Sequence, residues 1–143
     1  MKVTVNTEWK EGMAFESRVG DHLVRIDAAT DVGGTNSGPT PKPLLMTSLA
    51  GCTGMDVVAI LKKMRVSFDY FNILTEGTLA DEHPKKYLEI KIVYQFKGNN
   101  LSKENILKAI SLSREKYCGV IATLQQAVSL VFELEINGIR EPI

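Results

Sequence analysis

At 143 residues, with 44% hydrophobic and 24% charged side chains, the chain has room for one domain with a real core and too little for two. Seventeen basic residues balance seventeen acidic ones and no long basic run occurs, which argues against a dedicated nucleic-acid binder. Met1–Trp9 lacks the apolar core of a signal peptide, and the strongly apolar stretches fall well short of the roughly 18 residues of a membrane span. A cytoplasmic, reducing setting with no membrane partner is therefore expected.

Val3, Val5, Thr7 and Trp9 alternate as a half-buried strand does. Residues 13–17 and 22–26 read as two further short strands, with Gly20 and Asp21 as a hairpin turn. From Thr30 to Pro43, glycines and prolines break regular structure, and a flexible connection is expected. Gly33-Gly-Thr-Asn-Ser-Gly38 lacks the Gly-Lys-Ser/Thr ending of a phosphate-binding loop. Thr40 can cap the following helix, and Pro41 or Pro43 suits its first turn.

Leu44 to Met64 reads as a mostly apolar helix, with Leu45, Leu49, Cys52, Met55 and Ala59 on one face. So apolar a helix must be buried nearly all round, which is hard to arrange in a small monomer; a dimer whose protomers wrap around each other solves the problem. Gly51 and Gly54 each cost about 1 kcal/mol of helix propensity against alanine, so close approach of another backbone is expected there.

Residues 68–79 read as extended, and Asp81 to Pro84 as a turn. Leu88, Ile90, Ile92, Tyr94 and Phe96 alternate with Glu89, Lys91, Val93, Gln95 and Lys97, the clearest strand in the chain. After Gly98, Ser102 is a good N-cap, with Leu101 and Ile106 placed for a hydrophobic staple. Ile106, Ile110 and Tyr117 then run along one face to Cys118; residues 120–126 form a short helix and residues 128–136 a closing strand. The order β-β-β-α-β-β-α-α-β is an α+β arrangement.

Cys52 and Cys118, the only cysteines, lie 66 residues apart, each beside small residues at a helical segment. A single buried cysteine is ordinarily a small hydrophobe. A structural disulfide fits a reducing compartment poorly. Zinc needs more ligands than two thiols, and neither His22 nor His83 stands at zinc-ligand spacing from a cysteine. Core packing and a working redox pair both remain open on pattern alone.

Gly38-Pro-Thr-Pro, followed by Leu44-Leu-Met-Thr-Ser-Leu-Ala-Gly-Cys-Thr-Gly-Met-Asp-Val57, resembles the first cysteine motif of the OsmC/Ohr family. Lys116-Tyr-Cys-Gly-Val-Ile-Ala-Thr-Leu124, with the strand after it, is similar to the second. The element order also fits, so the resemblance covers essentially the whole chain as a single domain, 1–143, of a divergent, YhfA-like branch. It implies an OsmC-like fold of antiparallel sheets packed around a long central helix, in an intertwined homodimer with the thiols meeting near the subunit interface. It also implies reduction of organic hydroperoxides, and in some members hydrogen peroxide, without metal or cofactor. Carried over, Cys52 is the thiolate that becomes a sulfenic acid, Cys118 resolves it as a disulfide, and an external dithiol restores both.

The pattern is broken at the groups that activate the thiolate. Family members carry a glutamate where this chain has Lys42, and an arginine near the position of Met13; Arg18 and Arg25 are displaced from it. Lys42, Arg18 and Arg25 are the candidate sources of positive charge. Asp56, one turn beyond Cys52, would raise a thiol pKa if it faced the same way; a solvated or locally bonded helix residue is the plainer expectation. His22, His83 and Glu115 read as surface groups, Ser111 and Ser113 have no visible partner base, and Tyr70, Phe71, Tyr94, Phe96 and Tyr117 read as packing residues that could also line an apolar pocket. Two other functions stay open: a non-catalytic module that binds a small apolar ligand or a partner, and a thiol redox sensor.

Overall fold

A computed structural model describes all 143 residues. They divide into two compact units, Met1–Leu45 and Met46–Ile143. The first holds an antiparallel sheet of β1 (Asn6–Glu11), β2 (Ala14–Val19) and β3 (His22–Ile26), in the order β1-β2-β3. Gly20 takes φ +61° in the β2–β3 turn, a left-handed conformation that glycine adopts without strain. β1 begins at Asn6 rather than Val3, and Val3 and Val5 stand exposed.

The loop after β3 is not the slack connection that its glycines and prolines predict. Asp27, only 4% exposed, accepts five hydrogen bonds: from the N–H of Ala28, Thr35 and Ser37 and from the hydroxyls of Thr35 and Ser37, at 2.7–3.2 Å. One carboxylate thus winds residues 28–37 around itself. Gly34 is required at that closure, because a Cβ there would stand 2.0 Å from the Ala28 carbonyl oxygen. The Ser37 amide, then its hydroxyl, with Ala28 and Thr35 helping, hold the Asp27 carboxyl far below the usual carboxylate range.

The second unit is built on a sheet of β4 (Tyr70–Leu79), β5 (Tyr87–Lys97), β6 (Ser129–Ile136) and β7 (Ile139–Pro142), in that order. β4–β5 and β6–β7 are antiparallel. β5–β6 is parallel, as its long helical crossover demands: α2 (Lys103–Leu112), a π-helical turn (Ser113–Tyr117) and α3 (Gly119–Leu124). On one face, Ile90, Ile92, Tyr94 and Phe96 stand beside Leu130, Phe132, Leu134 and Ile136. On the other, Asn72, Gln95, Glu135 and Arg140 form a hydrogen-bonded row. The alternation of β5 predicts this two-sidedness.

α1 (Pro41–Lys63) and α2 cover the apolar face, and Leu49, Val57, Leu61, Ile106, Ala109 and Ile110 share the core with β5 and β6. Ser102 caps α2 as expected, its hydroxyl accepting from the Asn105 N–H. By length and composition α1 could cross a membrane, which the apolar-stretch count overlooks. Only 22% of its apolar stretch is buried, so the nearly all-round burial expected from its composition is not met within one chain; a single face packs in the core. The buried face is Leu49, Thr53, Val57 and Leu61; of Leu45, Leu49, Cys52, Met55 and Ala59 only Leu49 is buried, and Met55 is 75% exposed. Nothing approaches a Cβ built on Gly51, and only the Ile73 side chain meets one on Gly54, so the expected close backbone is not supplied by this chain.

A carboxylate whose folded pKa is depressed stabilises the fold above its unfolded value, near 4, and that contribution is lost as pH falls toward the folded value. Asp27→Asn should therefore destabilise the protein at pH 6, with the gap to wild type shrinking steadily between pH 4 and pH 2 in denaturant titrations. A gap independent of pH would mean the charge of Asp27 does not organise the loop.

Candidate active site

Cys52 and Asp56 stand one helical turn apart on α1, so their side chains share a face. Cys118 arrives from the other side. The chain between α2 and α3 widens into a π-turn, with the Cys118 N–H donating to the Ser113 carbonyl five residues back at 2.8 Å. Such turns recur at functional sites. Here it places Cys118 at the N-cap of α3, where its sulfur accepts from the Ile121 N–H at 3.4 Å. The Cys52 sulfur, the Cys118 sulfur and an Asp56 carboxylate oxygen consequently lie within 4.8 Å of one another. Both thiols are free.

A buried line of hydroxyls fixes this meeting. Ser113 Oγ donates to Asp56 Oδ2 at 3.0 Å, Thr53 Oγ1 lies 2.9 Å from Ser113 Oγ, and Tyr94 OH lies 2.8 Å from Thr53 Oγ1. Each hydroxyl has one proton to give. Because the Ser113 proton goes to Asp56, Thr53 must donate to Ser113, and Tyr94 to Thr53. The line therefore has one direction, Tyr94 to Thr53 to Ser113 to Asp56, and ties β5, α1 and the π-turn together. Burial pushes the Tyr94 phenol up to about 12, partly offset by its bond to Thr53, so it stays protonated and can donate.

The two sulfurs differ. Cys118 is 3% exposed, and burial pushes its thiol up to about 11; the Ile121 N–H works against this and the neighbouring Cys52 adds to it. At pH 7.5 under about a thousandth of such a thiol is ionised. Cys52 is half-buried against the core. Asp56 also rims a cleft of about 410 Å³ with Ile60, Lys63, Leu112 and Tyr117.

Asp56 thus faces the same way as Cys52 and accepts from a distant segment, rather than standing solvated or bonded locally on its own helix. Ser113 was equally hidden: its partners lie 57 and 60 residues away, and no local spacing announces them. Ser111 bonds Glu115, and His22 and His83 are exposed. Phe71 and Phe96 stack at 4.3 Å, with Phe68 edge-on to both. Tyr117 leaves the Ile106–Ile110 face because the π-turn shifts the helical register, and it faces the cleft. In the first unit, Arg25 is held by Glu16 at 3.1 Å, Glu11 at 3.6 Å and the Ser37 hydroxyl at 2.9 Å. Arg18 is exposed on β2, and Lys42 is exposed in the first turn of α1.

Residues 34–133 match the OsmC-like protein family. The chain belongs to that family. This OsmC-like protein is 30% identical to Protein YhfA of Escherichia coli K12 over 134 residues, covering 90% of this chain and 94% of that one. A solved structure from Aquifex aeolicus VF5 is 31% identical, covers 96% of this chain and 98% of its own, and superposes with a TM-score of 0.82. The organic hydroperoxide resistance protein OsmC of Legionella pneumophila, 12% identical over 94% of this chain and 97% of its own, has the same fold at a TM-score of 0.66. The OsmC-like, α+β reading of the sequence is borne out.

Thr53→Val removes the middle of the hydroxyl line and leaves two buried polar groups short of a partner, which costs about 1–3 kcal/mol. Tyr94→Phe removes one end and should cost only about 1 kcal/mol. Equal losses in urea denaturation would contradict the directed chain of donors.

Proposed function

We propose that this OsmC-like protein reduces organic hydroperoxides with its two thiols. The observation that carries the reading is the approach of two free sulfurs, 66 residues apart in sequence, to within 4.8 Å beside a carboxylate. The Cys52 thiolate attacks the hydroperoxide: an S–O bond forms, the O–O bond breaks, and the alkoxide leaves as an alcohol. Asp56 accepts the thiol proton and returns it to that alkoxide, with Ser113 holding the carboxylate in place. Cys118 resolves the intermediate: its S–H bond breaks as its sulfur attacks the sulfenic acid, the S–S bond forms, the S–O bond breaks, and the hydroxide leaves as water with the Cys118 proton. An external dithiol supplies the electrons that restore both thiols. A cytoplasmic setting would keep the resting pair reduced.

The reading includes an intertwined homodimer in which the two compact units serve one OsmC-like domain. Gly51, Gly54, Met55 and Val58 of α1, with Phe71 and Ile73 of β4, line an open apolar cavity of about 580 Å³. Trp9, Phe15 and Leu23 stand exposed on the first sheet, and Met13 in its β1–β2 turn. Apolar surface on this scale marks an interaction site, and a second copy supplies the backbone that Gly51 and Gly54 leave room for. Light scattering should give twice the 15.8 kDa of one chain, and Val58→Glu a single chain. A monomeric wild type would rule out the dimer.

Cumene hydroperoxide should consume two thiols per chain and yield the Cys52–Cys118 disulfide. Cys118→Ser should stop at a trappable sulfenic acid on Cys52, and Asp56→Asn should slow the first step about 10²–10⁴-fold. Lys42→Ala should slow it too if that lysine supplies the positive charge in place of the family's ion pair; an unchanged rate removes Lys42 from the site. Thiols inert to peroxide would end the proposal.

A further inference from the structure

Two donors one turn apart on a helix, joined by a third from a distant segment, form a ligand arrangement used by tetrahedral zinc sites. Cys52 and Asp56 on α1, with Cys118 at the head of α3, have that arrangement. Donors bound about 2.0–2.3 Å from a tetrahedral centre lie about 3.4–3.8 Å from one another. Closing from the present 4.8 Å limit therefore takes side-chain shifts of about an ångström. The Asp56 carboxylate is already oriented from behind by the Ser113 hydroxyl at 3.0 Å, the outer-shell hydrogen bond that ligating carboxylates ordinarily carry. Two thiolates favour zinc and its soft relatives over magnesium or calcium.

We propose that the reduced protein binds one Zn²⁺-class ion through Cys52, Asp56 and Cys118, with the fourth position open to water. Two S–metal bonds and one O–metal bond form, and two thiol protons are released. Of the three ligands only Asp56 lines the cleft it shares with Ile60, Leu112 and Tyr117, so that is the side from which an ion would enter. The inference needs no peroxide chemistry. It makes the metal-bound and disulfide forms mutually exclusive, so occupancy would switch off any redox reaction of the pair.

The test uses the full-length reduced protein, stripped with chelator and titrated without oxygen with Co²⁺ and then Zn²⁺. One Co²⁺ per chain should bind, with the intense visible bands of a tetrahedral ion and a thiolate charge-transfer band, and one Zn²⁺ should displace it. Zn²⁺ should shield both thiols from alkylation, and protein oxidised to the disulfide should bind neither ion. Ser113→Ala should weaken Zn²⁺ binding about 10–100-fold while keeping the Co²⁺ spectrum. A pale octahedral Co²⁺ spectrum without the thiolate band, or equal affinity in the disulfide form, overturns the proposal. Oxidation and alkylation need no variant, and peroxide reduction by metal-free protein is scored separately, so either reading can fail alone.

Discussion

The buried line from Tyr94 through Thr53 and Ser113 to Asp56 is the constraint on which the site depends. Thr53 sits at the centre of the helix face that packs on the sheet, where a hydrophobic residue would ordinarily be placed. A buried hydroxyl is tolerable only when satisfied, so the polar line fixes the register of α1 against β5 and of the π-turn against α1. Apolar contacts alone would allow small slides of these surfaces; three directed bonds do not. The register in turn decides whether Cys118 meets Cys52 or stands beside it.

The same line gives the site its charge. Every proton along it points toward Asp56, so the carboxylate is stabilised from behind while its front faces two sulfurs. A carboxylate and two thiols this close cannot all carry negative charge without a proton or a cation among them. The proposed proton transfer through Asp56 and the proposed capture of a dication are two answers to one electrostatic problem.

Features written in local periodicity were legible from sequence. The alternation of β5 gave a strand with one apolar and one polar face, Ser102 gave the start of α2, and the settings of Cys52 and Cys118 gave two segments able to converge. Features set by distant partners were not. Asp27 looks like any loop aspartate until Thr35 and Ser37 fold back on it, and Ser113 acquires its role only through Thr53 and Asp56. The all-round burial expected of α1 is not met, because hydrophobicity alone cannot say which apolar side chains one chain covers, nor foresee a threonine held in the core by a tyrosine. One omission was avoidable: Asn137-Gly138 is a strong two-residue hairpin signal, and it announces β7.

The central claim is that folding holds the Cys52 and Cys118 sulfurs as a poised pair. Equilibration in glutathione redox buffers, with mass spectrometry and circular dichroism on the same samples, tests it most directly. A poised pair should pass in one step from dithiol to intramolecular disulfide, with native secondary structure throughout and mixed disulfides only in trace. Independent glutathionylation of the two thiols, or a disulfide that forms only as the chain unfolds, would contradict it.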